Sequence, residues 1–329
     1  MKHLKAISLF SGGLDSQLAV CLIKQQRIEV EAVNFKSPFF GGDVKLAEAA
    51  DNLGVTLTTL DISEEYMAVL KNPKYGFGKN MNPCIDCHAF MIRKAGEYMQ
   101  EVDAHFIITG EVLGQRPMSQ NRSSLDAVDK LSGFRGHIVR PLSALLLKPT
   151  IPEVEGWLKR EELLDISGRS RVRQIELAEQ LGISDYPSPA GGCLLTTENY
   201  SRRLRHLLDL KPDIGPRETE VLKYGRHFLL ENRALLIVGR KAAENEAILN
   251  LAEPKDYLFK VATHPGPTSM LRYFGHPSEE DITWAAAVTA RYSDAIDLPI
   301  AKIKVWQLGQ SPSIREVKPF SRELTPTAL

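Results

Sequence analysis

The sequence predicts an α/β protein: a doubly wound parallel sheet followed by a smaller α/β unit. Three observations carry this. Apolar runs at residues 4–10, 28–35 and 55–62 alternate with segments of helical periodicity. The first run ends in Ser11-Gly12-Gly13, a strand-to-helix turn. The 329 residues exceed what one compact core usually holds, so two or three domains are expected.

Residues 4–10 read as a buried parallel strand, and Leu18, Leu22 and Ile23 share one face of the helix that follows. Residues 28–35 form a second strand, Asp43 caps a helix through Leu46 and Ala50, and residues 55–62 form a third strand. Crossovers between parallel strands are right-handed, so this alternation places helices on both faces of one sheet. A loop over 72–83, rich in Gly, Asn, Lys and Pro, leads to a helix beginning near Asp86. Strands are expected at 105–110 and 138–140. Helices are expected at 151–160 and at 171–181, the latter stopped by Gly182. Residues 186–193 read as loop and 198–210 as helix. A second unit starts near Pro216, with strands at 234–239, 257–261 and 300–306 and helices from Ala242 and Ser278. The expected domains are 1–210 and 211–329.

The composition is 43% hydrophobic and 25% charged, ordinary for a globular chain. No apolar run is long enough to span a membrane, and the N-terminal stretch lacks the pattern of a signal peptide, so a cytoplasmic location is expected. Basic and acidic residues balance at 41 each, so any nucleic-acid contact must come from local clusters. Four cysteines are too few for a disulfide scaffold; a close pair then points to metal binding or catalysis.

The hexapeptide Ser11-Gly12-Gly13-Leu14-Asp15-Ser16 has the chemistry of an anion cradle. Gly12 and Gly13 let a ligand approach the main chain, the following helix directs free N–H groups and its positive dipole end at an anion, and Ser11 and Ser16 add hydroxyls. Asp15 would be repelled by bare phosphate, so its role is to help hold Mg²⁺ or to orient the loop. The alternative is an unliganded glycine turn. The lysine-bearing phosphate loop of kinases and GTPases is absent.

This hexapeptide resembles the SGG-x-DS motif of the PP-loop (N-type) ATP pyrophosphatases, and the resemblance implies a Rossmann-like PP-loop domain. It further implies cleavage of ATP between the α and β phosphates, adenylation of a carbonyl oxygen, and an adenine site formed partly by the second strand around Asn34 and Phe35.

Cysteine spacing separates the branches of that group. Cys84 and Cys87 form a C-x-x-C at a helix start, where a thiolate is stabilised, and Cys193 follows Gly191-Gly192 in a loop that could approach them. Three thiolates can hold a 4Fe–4S cluster and leave one iron open for sulfide. A zinc site using His88, a redox pair, and three unrelated thiols are the alternatives. Cys21, among Val20, Leu22 and Ile23, reads as packing.

Asn82-Pro83-Cys84 resembles the cysteine segment of the 2-thiouridylases. Thr109-Gly110-Glu111 with Gly114-Gln115 and Ser119-Gln120 resembles a segment of the 4-thiouridine synthases, as does Arg140-Pro141-Leu142 with Lys148; the likeness covers residues 1–200 or so. Arg116-Pro117-Met118 adds one residue to the synthase pattern. No RNA-binding region precedes the loop's own strand and no rhodanese-like domain follows, so a cluster taking free sulfide is the more economical expectation.

Arg169, Arg171 and Arg173, near a helix start, suit RNA phosphates. Between residues 201 and 241, seven arginines and three lysines stand against two aspartates and three glutamates. The last third resembles the NFACT-R domain through Val238-Gly239-Arg240, Asn245, Tyr257-Leu258-Phe259, His264-Pro265-Gly266 and the helix over 285–292. That likeness implies nucleic-acid binding; a dimerisation or structural cap is the alternative.

The expectation is an ATP-dependent tRNA sulfurtransferase with ATP, Mg²⁺ and a 4Fe–4S cluster as cofactors. Asp15, Cys84, Cys87 and Cys193 carry the chemistry, the three cysteines being the cluster ligands. Ser11, Gly12, Gly13, Asp15, Ser16, Asn34, Phe35, Gly110, Gln115 and Arg116 bind the nucleotide, with Glu111 lining the cleft. tRNA is the partner, the sulfur donor is free sulfide or a cysteine desulfurase, and a homodimer is left open. Two readings stand beside it: thiolation through a cysteine persulfide without a cluster, and a metal-stabilised RNA-binding protein without thiolation activity.

Overall fold

The computed structural model describes residues 3–41, 45–187, 192–231, 233–321 and 328–329. The chain divides into two compact units, Met1–Thr196 and Thr197–Leu329.

In the first unit the elements are β1 (Lys5–Leu9), α1 (Leu14–Gln25), β2 (Glu29–Lys36), α2 (Leu46–Leu53), β3 (Thr56–Asp61), α3 (Ser63–Lys71), α4 (Cys84–Glu101), β4 (Phe106–Thr109), α5 (Arg122–Ser132), β5 (Ile138–Val139), α6 (Ile151–Val154) and α7 (Val172–Gln180). The five strands form one parallel sheet in the order β3-β2-β1-β4-β5. Helices cover both faces, so the central strands are apolar throughout: Ala6 and Ile7 of β1 and Phe106, Ile107 and Ile108 of β4 are fully buried.

Strand order reverses between β1 and β4, and the carboxyl ends of strands at such a reversal are where α/β sheets bind ligands. The hexapeptide follows β1 and Gly110 follows β4, so both lie at this point. Helix α4 runs back toward the start of β4. Its N-terminus, bearing Cys84 and Cys87, therefore sits on the same carboxyl edge.

Two local expectations change, and one lies outside the described residues. The helix expected over 151–160 is a single turn, because Gly156 adopts a left-handed conformation (φ +65°) and turns the chain before a short 3₁₀ turn at Arg160–Glu162. Helices α3 and α5 were not anticipated, although α5 has visible punctuation: Asn121 accepts from the Ser124 amide and Gly133 ends the helix. The expected cap Asp43 lies outside the described residues; α2 itself starts at Leu46.

The second unit contains α8 (Glu198–Leu210), α9 (Pro216–Glu220), β6 (Arg226–Leu230), β7 (Ala234–Val238), α10 (Ala242–Leu251), β8 (Tyr257–Val261), β9 (Thr268–Tyr273), α11 (Glu279–Arg291), β10 (Ala301–Trp306) and β11 (Ser313–Val317). Its antiparallel sheet has the order β11-β10-β8-β9-β7-β6. Phe228, Leu236, Phe259 and Leu271 pack with Ala286 and Val288 of α11 to form the core. The observed division precedes α8, whereas the sequence placed the boundary at 210/211. The reason is bonding: Tyr200 Oη donates to the Thr219 carbonyl at 3.0 Å, and Arg203 donates to the carbonyls of Leu222 and Gly225.

Candidate active site

The turn after β1 is held open from behind. Gly12 takes φ +70°, closed to most side chains. Ser16 Oγ donates to the Gly13 carbonyl at 2.8 Å and lies 3.3 Å from Ser11 Oγ. Gln17, almost fully buried, donates through Nε2 to the carbonyls of Gly12 (2.8 Å) and Asp185 (3.1 Å). Asn34 Nδ2 donates to the Phe10 carbonyl at 2.8 Å, while its Oδ1 is buried without a partner. Phe35 is packed into the core. The loop carbonyls are thus occupied, which leaves the N–H groups at the start of α1 for an anion.

The segment after β4 connects this loop to the cysteines. A Cβ on Gly110 would lie 2.6 Å from both Asp15 C and Ser16 N, so only glycine lets the two backbones approach this closely. Gln115 Nε2 donates to Asp15 Oδ2 at 3.1 Å. Between them Glu111 is buried, 2.7 Å from His88 Nδ1 and 2.9 Å from Arg140 Nε. Arg140 also pairs with Asp129 through NH2 at 2.7 Å. Burial would raise the Glu111 carboxyl, but the Arg140 charge and the His88 bond overcome this and hold it at about 2. Burial would lower the Arg140 guanidinium; Glu111 and Asp129 hold it above the ordinary range. Asp129 moves the other way, raised by burial because Arg140 is shared with Glu111.

Cys84 and Cys87 open α4, where Asp86 folds the preceding loop onto the helix by accepting from the amides of Lys74 (2.7 Å) and Tyr75 (3.0 Å). Asn82 Nδ2 donates to Cys84 Sγ at 3.1 Å. The Cys193 segment is tethered at two points: Asn80 Nδ2 donates to the Thr196 carbonyl at 2.6 Å, and the Leu194 amide to the Phe39 carbonyl at 2.9 Å. Burial pushes the Cys193 thiol up to about 11, with Cys84 raising it further and Arg116 opposing. Burial also raises Cys87, with Cys193 and Cys84 adding to the shift. The three thiols are therefore electrostatic neighbours. Tyr66 is fully buried among Phe39, Phe40 and Phe90 with its hydroxyl beside Cys87; burial and then Cys87 raise it far above its usual range.

The expected RNA-contacting arginines differ among themselves. Arg169 is exposed, Arg171 is half-buried, and Arg173 is spent on Asp165 at 2.7 Å. Cys21 is half-buried on α1, with its thiol raised by burial, as a packing residue requires.

Comparison with known proteins matches residues 2–153 to the family model described as thiamine biosynthesis protein (ThiI). Residues 225–327 match the NFACT protein RNA binding domain. A tRNA-specific 2-thiouridylase MnmA from Pseudoalteromonas translucida is 26% identical over 266 residues, 74% of this chain and 69% of that protein. Over its first half the chain is similar to PP-loop proteins of the tRNA sulfurtransferase group, and over its last third to the NFACT RNA binding domain. An uncharacterized protein of Methanocaldococcus jannaschii is 32% identical over 118 residues, 34% of this chain and 42% of that one. The chain thus spans from under half to about two thirds of these relatives. Among solved structures, a 4-thiouridine synthetase–RNA complex with bound ATP is similar at 20% identity and a TM-score of 0.37, covering 54% of this chain and 41% of that one.

Within this PP-loop frame the candidate cofactors can be tested against the side chains. Asp15 Oδ1 is buried and has no partner among the described residues, which suits a cation such as Mg²⁺. Thiolates are the donor type an iron–sulfur cluster takes, and Cys84 and Cys193 both act on the Cys87 thiol electrostatically. Among the described residues no three His, Cys, Asp or Glu side chains are grouped to hold a metal ion, and His88 is engaged with Glu111. Sequence reasoning missed Tyr66, Gln17 and the joining of His88 to Arg140 through Glu111. Gln17 directly follows the hexapeptide and was available as a cue; Tyr66 had none.

Proposed function

We propose that this protein is an ATP-dependent tRNA sulfurtransferase that adenylates a uridine carbonyl oxygen and exchanges that oxygen for sulfur. The observation that carries the reading is the segment 110–116. It touches the phosphate loop through Gly110 and Gln115 and the thiol helix through Glu111, which bonds His88, and the charge of Arg116 acts on the Cys193 thiol. One short stretch thereby couples an ATP-type anion cradle to sulfur chemistry.

The free amides at the start of α1 bind the ATP phosphates, with Ser11 and Ser16 as further donors. Asp15, oriented by Gln115, holds Mg²⁺ through Oδ1. Asn34 and Phe35 border the adenine on the β2 side. A uridine leaves its stack to reach the cleft. Its carbonyl oxygen attacks the α phosphorus, pyrophosphate departs, and Arg116 offsets charge at the reacting phosphate. A sulfur nucleophile then adds at the activated carbon, and AMP leaves with the original oxygen. A 4Fe–4S cluster held by Cys84, Cys87 and Cys193 would supply an open iron for sulfide. Arg169 and Arg171 contact tRNA phosphates.

The experiment is to incubate the anaerobically purified chain with ATP, sulfide and unmodified tRNA, then measure AMP, pyrophosphate and thiouridine. Stoichiometric AMP and thiouridine are expected. RNA-dependent ADP formation, or AMP without any thiouridine, would reject the assignment.

A further inference from the structure

The second unit contains a pocket of about 280 Å³, just under the usual range of roughly 300–1,000 Å³ for small-ligand sites and suited to one nucleotide rather than a larger ligand. Its walls come from the start of β6, the turn after β7, helix α10, the loop between β8 and β9, and the end of α11. The glycines in it follow from internal packing: a Cβ on Gly239 would meet Asn245 Oδ1 at 2.1 Å, and one on Gly266 would meet Ser293 Cβ at 2.6 Å.

Cationic and polar side chains converge here. The Arg226 guanidinium lies 4.7 Å from the centre of the Tyr292 ring and makes no ion pair among the described residues. A guanidinium held over an aromatic face is positioned by the ring and keeps N–H donors for a planar or tetrahedral oxyanion. Asn245 spends Oδ1 on the Thr268 amide at 3.0 Å, which fixes the carboxamide and leaves Nδ2 as a donor at the pocket wall. Arg240 is a second cation, held by Glu244 at 2.6 Å. The field is positive beyond these two residues. Arg203 is depressed by burial and by the charges of Arg240 and Arg202, and His227, first by burial and then by Arg203 and Arg240, is held at about 3. The opposing charges are Glu244, paired with Arg240, and Asp294, exposed at the rim. Two arginines of the basic stretch between residues 201 and 241, Arg226 and Arg240, thus line this pocket.

We infer that the pocket bounded by Arg226, Arg240, Asn245 and Tyr292 is a subsite for one nucleotide of a single-stranded RNA segment, with Arg226 on its phosphate. This rests on the RNA-dependent reading above and locates an RNA contact that the reading leaves unplaced. Asn245 donates to the ribose or base, and the open side of the guanidinium plane receives a base by stacking.

The test is fluorescence anisotropy of the full chain with a labelled single-stranded oligoribonucleotide at two salt concentrations, with AMP as a separate competitor. Arg226→Ala should weaken binding about tenfold and reduce the salt slope by about one. Arg226→Lys should recover only part, because the charge returns without the planar fork. Asn245→Asp keeps the acceptor for Thr268 and should also weaken binding. Asp294→Asn should tighten it, a gain that misfolding cannot produce. Wild-type affinity in both Arg226→Ala and Asn245→Asp overturns the proposal. Loss of AMP binding with unchanged oligonucleotide binding also overturns it and makes the pocket a free-nucleotide site. If the wild type releases no AMP with tRNA, the enzyme reading fails, and the oligonucleotide titration still decides the pocket.

Discussion

Gln115 Nε2 donates to Asp15 Oδ2 over 3.1 Å, and the other carboxylate oxygen, Asp15 Oδ1, is buried without a partner among the described residues. The first contact crosses 100 residues of sequence. It orients the carboxylate from outside the loop and leaves one oxygen to face a cation.

Asp15→Asn should therefore lower AMP and pyrophosphate formation at least about a hundredfold while the chain stays folded. Gln115→Ala should raise the Mg²⁺ concentration needed for half-maximal rate with less effect at saturation. Steady-state rates across a Mg²⁺ titration read both effects. Wild-type turnover by Asp15→Asn would remove Asp15 from the chemistry.

Gly110→Ala should disable the phosphate loop from the neighbouring strand. The added carbon meets backbone atoms of Asp15 and Ser16 at 2.6 Å, and backbone cannot swing aside as a side chain can. A destabilisation of about 1–3 kcal/mol is expected together with weaker ATP binding. Thermal unfolding with and without ATP measures the two separately. Unchanged ATP-induced stabilisation would show that the approach of the two loops is dispensable.

Loss of any one of Cys84, Cys87 or Cys193 should abolish thiouridine formation and leave ATP cleavage at the separate phosphate loop. Cys21→Ser should be nearly silent, since Cys21 packs on α1. The anaerobic wild type should contain about four irons per chain. The measurements are iron, acid-labile sulfide, AMP and thiouridine across the four Cys→Ser variants. Full iron and activity in Cys193→Ser would break the three-thiol unit. Absent iron with all three cysteines still essential would favour the persulfide route.

The Glu111 network makes an acid-stability prediction. Its folded carboxyl lies at about 2 against an ordinary 4.5, so the charged form is favoured in the native state. The resulting stability, on the order of 3 kcal/mol, is present above pH 4.5 and is lost as pH falls from 4.5 toward 2. Asp129, raised by burial, acts in the opposite sense, so the network first takes up a proton there. Glu111→Gln should cost about 3–5 kcal/mol at neutral pH, because it strips a partner from buried Arg140, and should flatten the acid limb. Urea unfolding of both proteins from pH 6 down to 2 checks this; parallel curves would mean that Glu111 does not control the limb.

Local chemistry in the sequence determined the alternating α/β class, the hexapeptide after the first strand and the C-x-x-C at a helix start. Each is encoded within a few residues: strand ending in glycines, cap, helix. The single turn of α6 escaped such reading because Gly156 outweighs the helical pattern around it. The strands β6, β9 and β11 gain their stability from pairing partners rather than from a local pattern. Only the tertiary structure decided which separated residues meet. Strand order places β4 beside β1, and that adjacency joins Gly110 to Ser16 and Gln115 to Asp15. Glu111 meets His88 across 23 residues and Arg140 across 29, distances at which one-sequence periodicity carries no information. Tyr66 became notable only when folding buried its hydroxyl beside Cys87. Arg226 and Arg240 likewise converge because β6 and β7 pair antiparallel, with Arg226 opposite Val238.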